Sequence, residues 1–397
     1  MFALARVSLY YLNNGECEMD SLSFEELYSC YQLCLKNKKR KSGTYNFVNA
    51  DLCLNLYELL QEINSRKYVP APSNCYVVTD PAYREIFAAQ FKDRIVQHFY
   101  MRELGDILDN ELVIGCSSCI KKRGTAYALK LLKNYVKNET KNGKENCYFL
   151  KIDLSGYFMS IKREIVCNKF ITLIKTKYKG KYKELLLYLT PIIFLNNPAD
   201  SCNYKCREEL RKRVPERRKM KKNSDYGMAI GNLTSQAGSN LNLNEFDHYV
   251  VEKIKLKNYI RYVDDIVIIS KSKIELRNAL PIIITKLAET EQTISKKKTK
   301  IDTVYHGVPF LGKVTYPYEG YQKPSKQVII RTMQKANKIE YSDIDNLIAK
   351  TNSQIGSLKN YNCRKLILAY ANEVLKETGN IIKFNKAKLK FVKLNNN

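Results

Sequence analysis

The chain has 397 residues, with 67 Lys and Arg against 40 Asp and Glu, a formal charge of +27 and a pI near 9.4. Such an excess strains a compact chain by self-repulsion and points to a polyanionic partner, nucleic acid first, with a solvated basic surface as the bland alternative. With 45% hydrophobic and 27% charged residues, the chain is globular rather than disordered and long enough for two or three domains.

Taken in chain order, Phe24, Leu27, Tyr28 and Tyr31, then Leu56, Leu59, Leu60 and Ile63, recur at helical spacing and predict two helices within residues 24–66. The run from Lys36 to Lys41 between them, with Lys38, Lys39 and Arg40, reads as a phosphate-contacting loop or a targeting tag. Pro70, Pro72 and Ser73 mark a break. A short strand at Cys75–Val78 then leads into an amphipathic stretch carrying Arg84, Arg94 and Arg102. Cys147–Asp153 is apolar and aromatic, ends at an acid, and predicts a strand. Residues 162–225 predict a helical insertion whose last stretch, Lys205 to Lys222, holds ten Lys and Arg against three Glu. Leu243, Phe246 and Val250 share a helical face ahead of Tyr259–Ser270, two β-rich runs with Asp264 and Asp265 at the turn of a hairpin. From Gly320 onward 15 Lys and Arg face 5 Asp and Glu. There Ile344, Leu347 and Ile348, then Ile367, Tyr370 and Val374, predict a small basic helical domain with a frayed Asn/Lys-rich end.

Other classes fall away. The most apolar stretch, Leu185 to Leu195, is short and interrupted by Thr190 and Pro191, so no membrane span is expected. The first residues lack the basic start and cleavage site of a secretory signal, and the 12 Cys then read as reduced cytoplasmic thiols. Cys116 and Cys119 form a CxxC without a second pair at zinc spacing, Cys202 and Cys206 being the nearest candidates. The 3 His (His98, His248 and His306) are far apart in sequence, which argues against a His-clustered zinc hydrolase.

The carboxylates carry the chemistry. An Asp-Asp turn is usually solvated punctuation. Here apolar strands flank Asp264 and Asp265, and Asp153 ends another strand. Three acids on adjacent strands of a basic chain suit two Mg²⁺ ions, which take a few carboxylates plus phosphate oxygens and drive in-line phosphoryl displacement. Cluster and charge both point to polymerising or cleaving nucleic acid.

At these residues the chain resembles reverse transcriptases. Tyr262-Val263-Asp264-Asp265 matches their YxDD box, and six further segments follow the family's order: PAYREIFAAQFKDRIVQH (81–98), FLKIDLSGYFMSI (149–161), IGNLTSQAGSNLNLNEFD (230–247), ISKKKTKI (294–301), GVPFLG (307–312) and NSQIGSLKNYN (352–362). The resemblance implies an α/β (α+β) right-hand polymerase, whose palm is an antiparallel sheet with helices on one face. Its divisions would be an N-terminal helical extension and start of the fingers (1–70), fingers (71–146), palm (147–318, with the insertion 162–225) and helical thumb (319–397). It implies two Mg²⁺, which Mn²⁺ can replace, held by Asp153, Asp264, Asp265 and the Leu154 carbonyl. Phe158 matches the aromatic gate that excludes a ribose 2′-OH, with a core aromatic as the alternative. Arg84 resembles the fingertip cation on the triphosphate, and Ile230, Gly231 and Gln236 lie in the nucleotide-pocket motif. Lys298 resembles the lysine near the leaving pyrophosphate, although Lys296 and Lys297 leave its register open. Phe310, Leu311 and Gly312 match the primer grip. Backbone contacts would come from Lys38, Lys39, Arg40, Arg217, Arg218, Lys359 and Arg94, which could equally be structural.

The IGNLTSQ string departs from the Gln-Gly of most bacterial relatives and is similar to reverse transcriptases of diversity-generating retroelements, which copy a template RNA with errors at adenines. A branched Ile230 in place of the Gln amide removes a hydrogen-bonding group beside the nascent pair, which weakens discrimination; a plain packing role for Ile230 is the alternative. That resemblance implies template RNA, an RNA/DNA duplex and dNTPs as partners, and a small basic accessory protein or self-association. It implies a cytoplasmic setting, bacterial or phage-encoded, with no membrane. Little chain follows the thumb for a maturase or nuclease domain. An antiphage defence reverse transcriptase copying a dedicated noncoding RNA stays open, as does a catalytically retired RNA-binding scaffold.

Overall fold

A computed structural model describes residues 20–36, 47–48, 50–80, 82–318, 320–361 and 363–394. Lys38, Lys39 and Arg40 lie outside these residues. The helices are α1 (Phe24–Leu35), α2 (Leu52–Asn64), α3 (Phe91–Glu111), α4 (Thr125–Glu139), α5 (Arg163–Lys177), α6 (Lys183–Phe194), α7 (Leu233–Asn242), α8 (Lys273–Ala288), α9 (Lys326–Asn337), α10 (Ile344–Lys359) and α11 (Arg364–Glu377). The strands are β1 (Ser73–Val78), β2 (Arg84–Ala88), β3 (Tyr148–Asp153), β4 (Cys202–Tyr204), β5 (Tyr259–Tyr262), β6 (Asp265–Ser270), β7 (Lys300–Thr303), β8 (Val308–Phe310), β9 (Lys313–Thr315), β10 (Gln322–Pro324), β11 (Ile382–Asn385) and β12 (Lys390–Lys393). The fold is α+β. Its central sheet runs in the order β5-β6-β3-β7, with β3 antiparallel to β7. None of the described helices is long and apolar enough to cross a membrane.

The chain divides into two units. The first comprises Met1–Gly124, Ile152–Ile266 and Asn278–Thr299. Here α1 begins at a reciprocal capping box, Ser23 with Glu26, which satisfies two orphan amide donors of the first turn. It buries Leu27, Cys30, Tyr31 and Cys34, and Tyr31 meets Phe91 of α3 edge-on at 6.0 Å. β1 pairs antiparallel with β2 and, on its other side, parallel with β4.

Three sequence expectations change in this unit. The amphipathic stretch after Cys75–Val78 is a second strand before it is a helix. The insertion is helical only through Phe194, where Asn196, Asn197 and Pro198 end the periodicity. Its basic part then gives a strand, the short helix Glu208–Lys212 and the 3₁₀ turn Glu216–Arg218. The helix ahead of the hairpin is broken into α7, Asn244–His248 and a π turn, Tyr249–Lys253, yet Leu243, Phe246 and Val250 are all buried.

The second unit comprises Thr125–Lys151, Val267–Arg277 and Lys300–Asn397. Leu347, Ile355, Leu358, Ile367, Tyr370 and Val374 build its terminal core, whereas Ile344 is exposed. Residues 382–393 form a hairpin, and Asn395, Asn396 and Asn397 of the expected frayed end lie outside the described residues. In β11 apolar and polar residues alternate, and the tilted rings of Phe384 and Phe391 lie 5.0 Å apart against the helices. Asn385 closes the turn by accepting from the Lys388 amide at 2.9 Å.

Candidate active site

The first unit draws the end of β3, the β5–β6 turn and the segment after α8 onto one point. The Leu154 amide donates to the Asp264 carbonyl at 3.0 Å. On the other side, Ser295 donates to the Asp153 carbonyl at 2.7 Å and Ser155 to the Thr293 carbonyl at 2.8 Å. These backbone bonds fix Asp153 and Asp264 as neighbours. The Asp264 carboxyl is pushed above its ordinary range by burial and then by the charge of Asp153, with Lys298 and Arg84 pulling it down.

Lys298 Nζ lies 2.9 Å from both oxygens of Asp153. That contact singles it out from Lys296 and Lys297. Asp265 opens β6 and is half-buried. Among the described residues no three Asp, Glu, His or Cys side chains converge closely enough to hold a metal ion between them. Even so, Asp153 and Asp264 repel each other and the Lys298 ammonium sits against Asp153. Two neighbouring carboxylates, one of them partly balanced by an ammonium, are an incomplete donor set that a divalent ion could bridge only with oxygens from a bound phosphate.

The turn itself is strained and braced from behind. Val263, a β-branched residue, adopts φ 59, a conformation that persists only where its surroundings impose it. Its amide donates to Ser118 Oγ at 3.2 Å, and Ser118 is bound in turn to Asn240. Its carbonyl accepts from Arg261 at 3.3 Å. Arg261 and Asp247, both with fully buried side chains, form a multidentate pair at 2.6–3.0 Å, and the Tyr259 hydroxyl donates to the same carboxylate at 2.5 Å. Sequence reading missed this brace. Its signal was a lone Arg in an otherwise apolar strand and an acid closing the preceding motif.

The loop at Ile230–Asn232 is laced to β2. The Phe87 amide donates to the Ile230 carbonyl at 3.0 Å, and the Ala89 amide to Asn232 Oδ1 at 3.3 Å. Gly231 has φ +119, and a Cβ there would come within 3.0 Å of Ile86, so only glycine fits. Ile230 and Gln236 are half-buried, and Arg84 is exposed at the start of β2. Arg218 lies within electrostatic reach of Arg84, Arg217, Asp153 and Asp264. Phe158 is half-buried in the short helix Tyr157–Ser160, its ring 5.9 Å from that of Tyr157. Arg94 Nε donates to the Ala89 carbonyl at 2.8 Å, so its structural option is realised.

The remaining candidates belong to the second unit. Phe310 is buried in β8, and Leu311 (φ 46) with Gly312 (φ 78) makes the two-residue β8–β9 turn, the left-handed geometry that matches strand twist. Lys359 is exposed at the end of α10.

Residues 79–315 match the family model described as reverse transcriptase (RNA-dependent DNA polymerase). Solved structures similar to the chain include a Candida albicans telomerase in complex with a TWJ fragment of telomeric RNA (11% identity, TM-score 0.46, 92% of this chain and 63% of that one). Others are an apo Candida tropicalis telomerase truncated from its C-terminal domain (12%, 0.47, 64% and 55%) and a Candida tropicalis telomerase with a TWJ fragment of telomeric RNA (10%, 0.45, 79% and 53%). The chain thus spans 53–63% of the length of these structures. No curated protein matches it.

Proposed function

The chain belongs to the reverse transcriptase (RNA-dependent DNA polymerase) family, and on that premise we propose that it extends a primer with deoxynucleotides on an RNA template, as the polymerase of a diversity-generating retroelement. The observation that carries the catalytic reading is the Asp153–Asp264 pair with Lys298 against it, set beside Arg84 and the loop at Ile230. Asp153 and Asp264 would hold a divalent ion, Mg²⁺ or Mn²⁺, together with the substrate's phosphate oxygens, and the ion would supply activation of the attacking hydroxyl and stabilisation of the leaving oxygen. The chain's own side chains do the rest. Arg84 grips phosphate through its fork of donors. Lys298 holds a proton at Nζ beside the reacting phosphates. Phe158 excludes the ribose 2′-OH. Ile230 offers no side-chain amide, so base discrimination loses a positioned hydrogen bond.

Partners in this reading are the template RNA, the RNA/DNA duplex and a small basic accessory protein. Sequencing the cDNA made from a defined RNA template tests it. Errors concentrated at template adenines are the expected result. Errors spread evenly over the four bases would overturn the diversity-generating assignment and favour the defence-type enzyme. No extension at all, with or without an accessory protein, would overturn the polymerase reading.

A further inference from the structure

The basic stretch of the insertion is fastened at both ends to the strand pair that carries Arg84. Near its start β4 adds in parallel to β1, and the Lys205 amide donates to the Cys75 carbonyl at 2.8 Å. At its end Glu85, buried next to Arg84 in β2, accepts the Met220 amide at 3.0 Å. Met220 and Ala199 of the insertion pack with Cys75, Phe87 and Ala229, and Met159 closes the cluster. Between the fastenings lies the turn Glu216–Arg218. It rests on the glycine that opens the Phe158 helix, since a Cβ on Gly156 would lie 3.1 Å from the Arg217 carbonyl oxygen.

The charges on this turn are unequal in what they face. Lys219 pairs with Glu216 at 2.5 Å. Among the described residues, Arg84, Arg217 and Arg218 enter no ion pair and donate no side-chain hydrogen bond. Arg218 is half-buried, close to both other arginines and to Asp153 and Asp264. Three neighbouring guanidinium groups that make no direct ion pair, with Asp153 and Asp264 as the opposing charges felt by Arg218, suit a phosphate group.

We propose that Arg218 is a nucleotide-binding residue that the insertion delivers to the active site, closing with Arg84 on the phosphates of the incoming nucleoside triphosphate. This rests on the polymerase reading above and replaces the duplex-backbone role that the sequence suggested for Arg218. A phosphate of the template–primer backbone offers the same chemistry. The triphosphate is favoured because the turn that carries Arg218 sits against Gly156, three residues past Asp153, and Arg218 is half-buried and feels the charges of Asp153 and Asp264, where the reacting phosphate must arrive.

The test uses the full chain and three measurements on wild type, Arg218→Ala and Arg218→Lys. Inorganic tripolyphosphate binding is followed by calorimetry without nucleic acid, dNTP dependence on a primed RNA template, and duplex affinity against salt. For Arg218→Ala the expected result is about tenfold weaker tripolyphosphate binding, the loss of one or two charge-assisted hydrogen bonds. KM for dNTP should rise by a similar factor and kcat change little, with duplex affinity and its salt slope unchanged. Arg218→Lys should recover part of the loss, which also shows that the turn still folds. If duplex affinity falls, its salt slope shrinks by about one and tripolyphosphate binding is unaltered, Arg218 serves the template–primer and the proposal is overturned. No change in any of the three overturns it as well. A wild-type chain that binds tripolyphosphate through Arg218 yet extends no primer would sink the polymerase reading and leave the phosphate site standing.

Discussion

Replacing Asp247 by Ala removes the acid that holds the strained Val263 turn from behind. In the wild type its carboxylate accepts three hydrogen bonds from Arg261, at 2.8, 3.0 and 2.6 Å, and a fourth from Tyr259 at 2.5 Å. Both charged side chains are fully buried. The variant leaves a guanidinium in the core without a counter-ion, a loss of about 3–5 kcal/mol. At about 2–4 °C per kcal/mol for a body of this size, the first unit should melt roughly 6–20 °C lower. The chain has 29 Tyr and no Trp, so tyrosine fluorescence with near-ultraviolet circular dichroism can follow urea and thermal unfolding. A paired Asp247→Leu, Arg261→Met variant should return to within about 1–2 kcal/mol of wild type, because apolar replacement of a buried pair is often neutral. Its DNA synthesis should stay low, since nothing then grips the Val263 carbonyl that Arg261 holds at 3.3 Å. Asp247→Ala within 1 kcal/mol of wild type would refute the brace, and full synthesis by the double variant would refute its link to the turn.

Asp264→Ala should abolish primer extension while RNA/DNA duplex affinity, measured by filter binding, stays within about threefold; retained synthesis would place the chemistry elsewhere. Phe158→Ala should raise ribonucleotide incorporation by about tenfold or more in single-nucleotide extension, the order expected when a steric contact is removed, and an unchanged ratio would return the ring to a packing role. Asp93 is buried and receives bonds from Tyr68 and the Ala71 amide, yet burial pushes its carboxyl up to about 6. A raised carboxyl binds its proton more tightly in the folded state, so stability falls as pH rises from about 4 to about 6, by up to about 3 kcal/mol. Asp93→Asn should flatten that slope in urea melts at successive pH values, and an unaltered slope would show that Asp93 does not set it.

Much of the fold around the candidate site was legible because strand periodicity leaves local marks. Asp153 at the end of an apolar run and Asp264 between two such runs are where the structure holds neighbouring carboxylates. What sequence could not show was pairing across long separations. Arg84 and Arg218 come within electrostatic reach because β2 binds Met220 through Glu85, and nothing local in either segment announces that bond. β2 itself hid beside a longer helical pattern, and β4 is 3 residues long, too short for periodicity to register. The terminal hairpin was obscured by its lysines, which are the outward-facing half of an alternating pattern.

The parallel addition of β4 to β1 sets a limit on trimming this chain to a shorter form. Deleting the insertion beyond α6 would strip one side of β1 and leave a bare edge in which Tyr76 and Val78 are already exposed. An unprotected edge with apolar side chains recruits a strand from another molecule. A shortened chain would therefore fail first by self-association, before any defect in chemistry could be measured. Restoring solubility would require an inward-pointing charge or a proline on β1, not a longer linker.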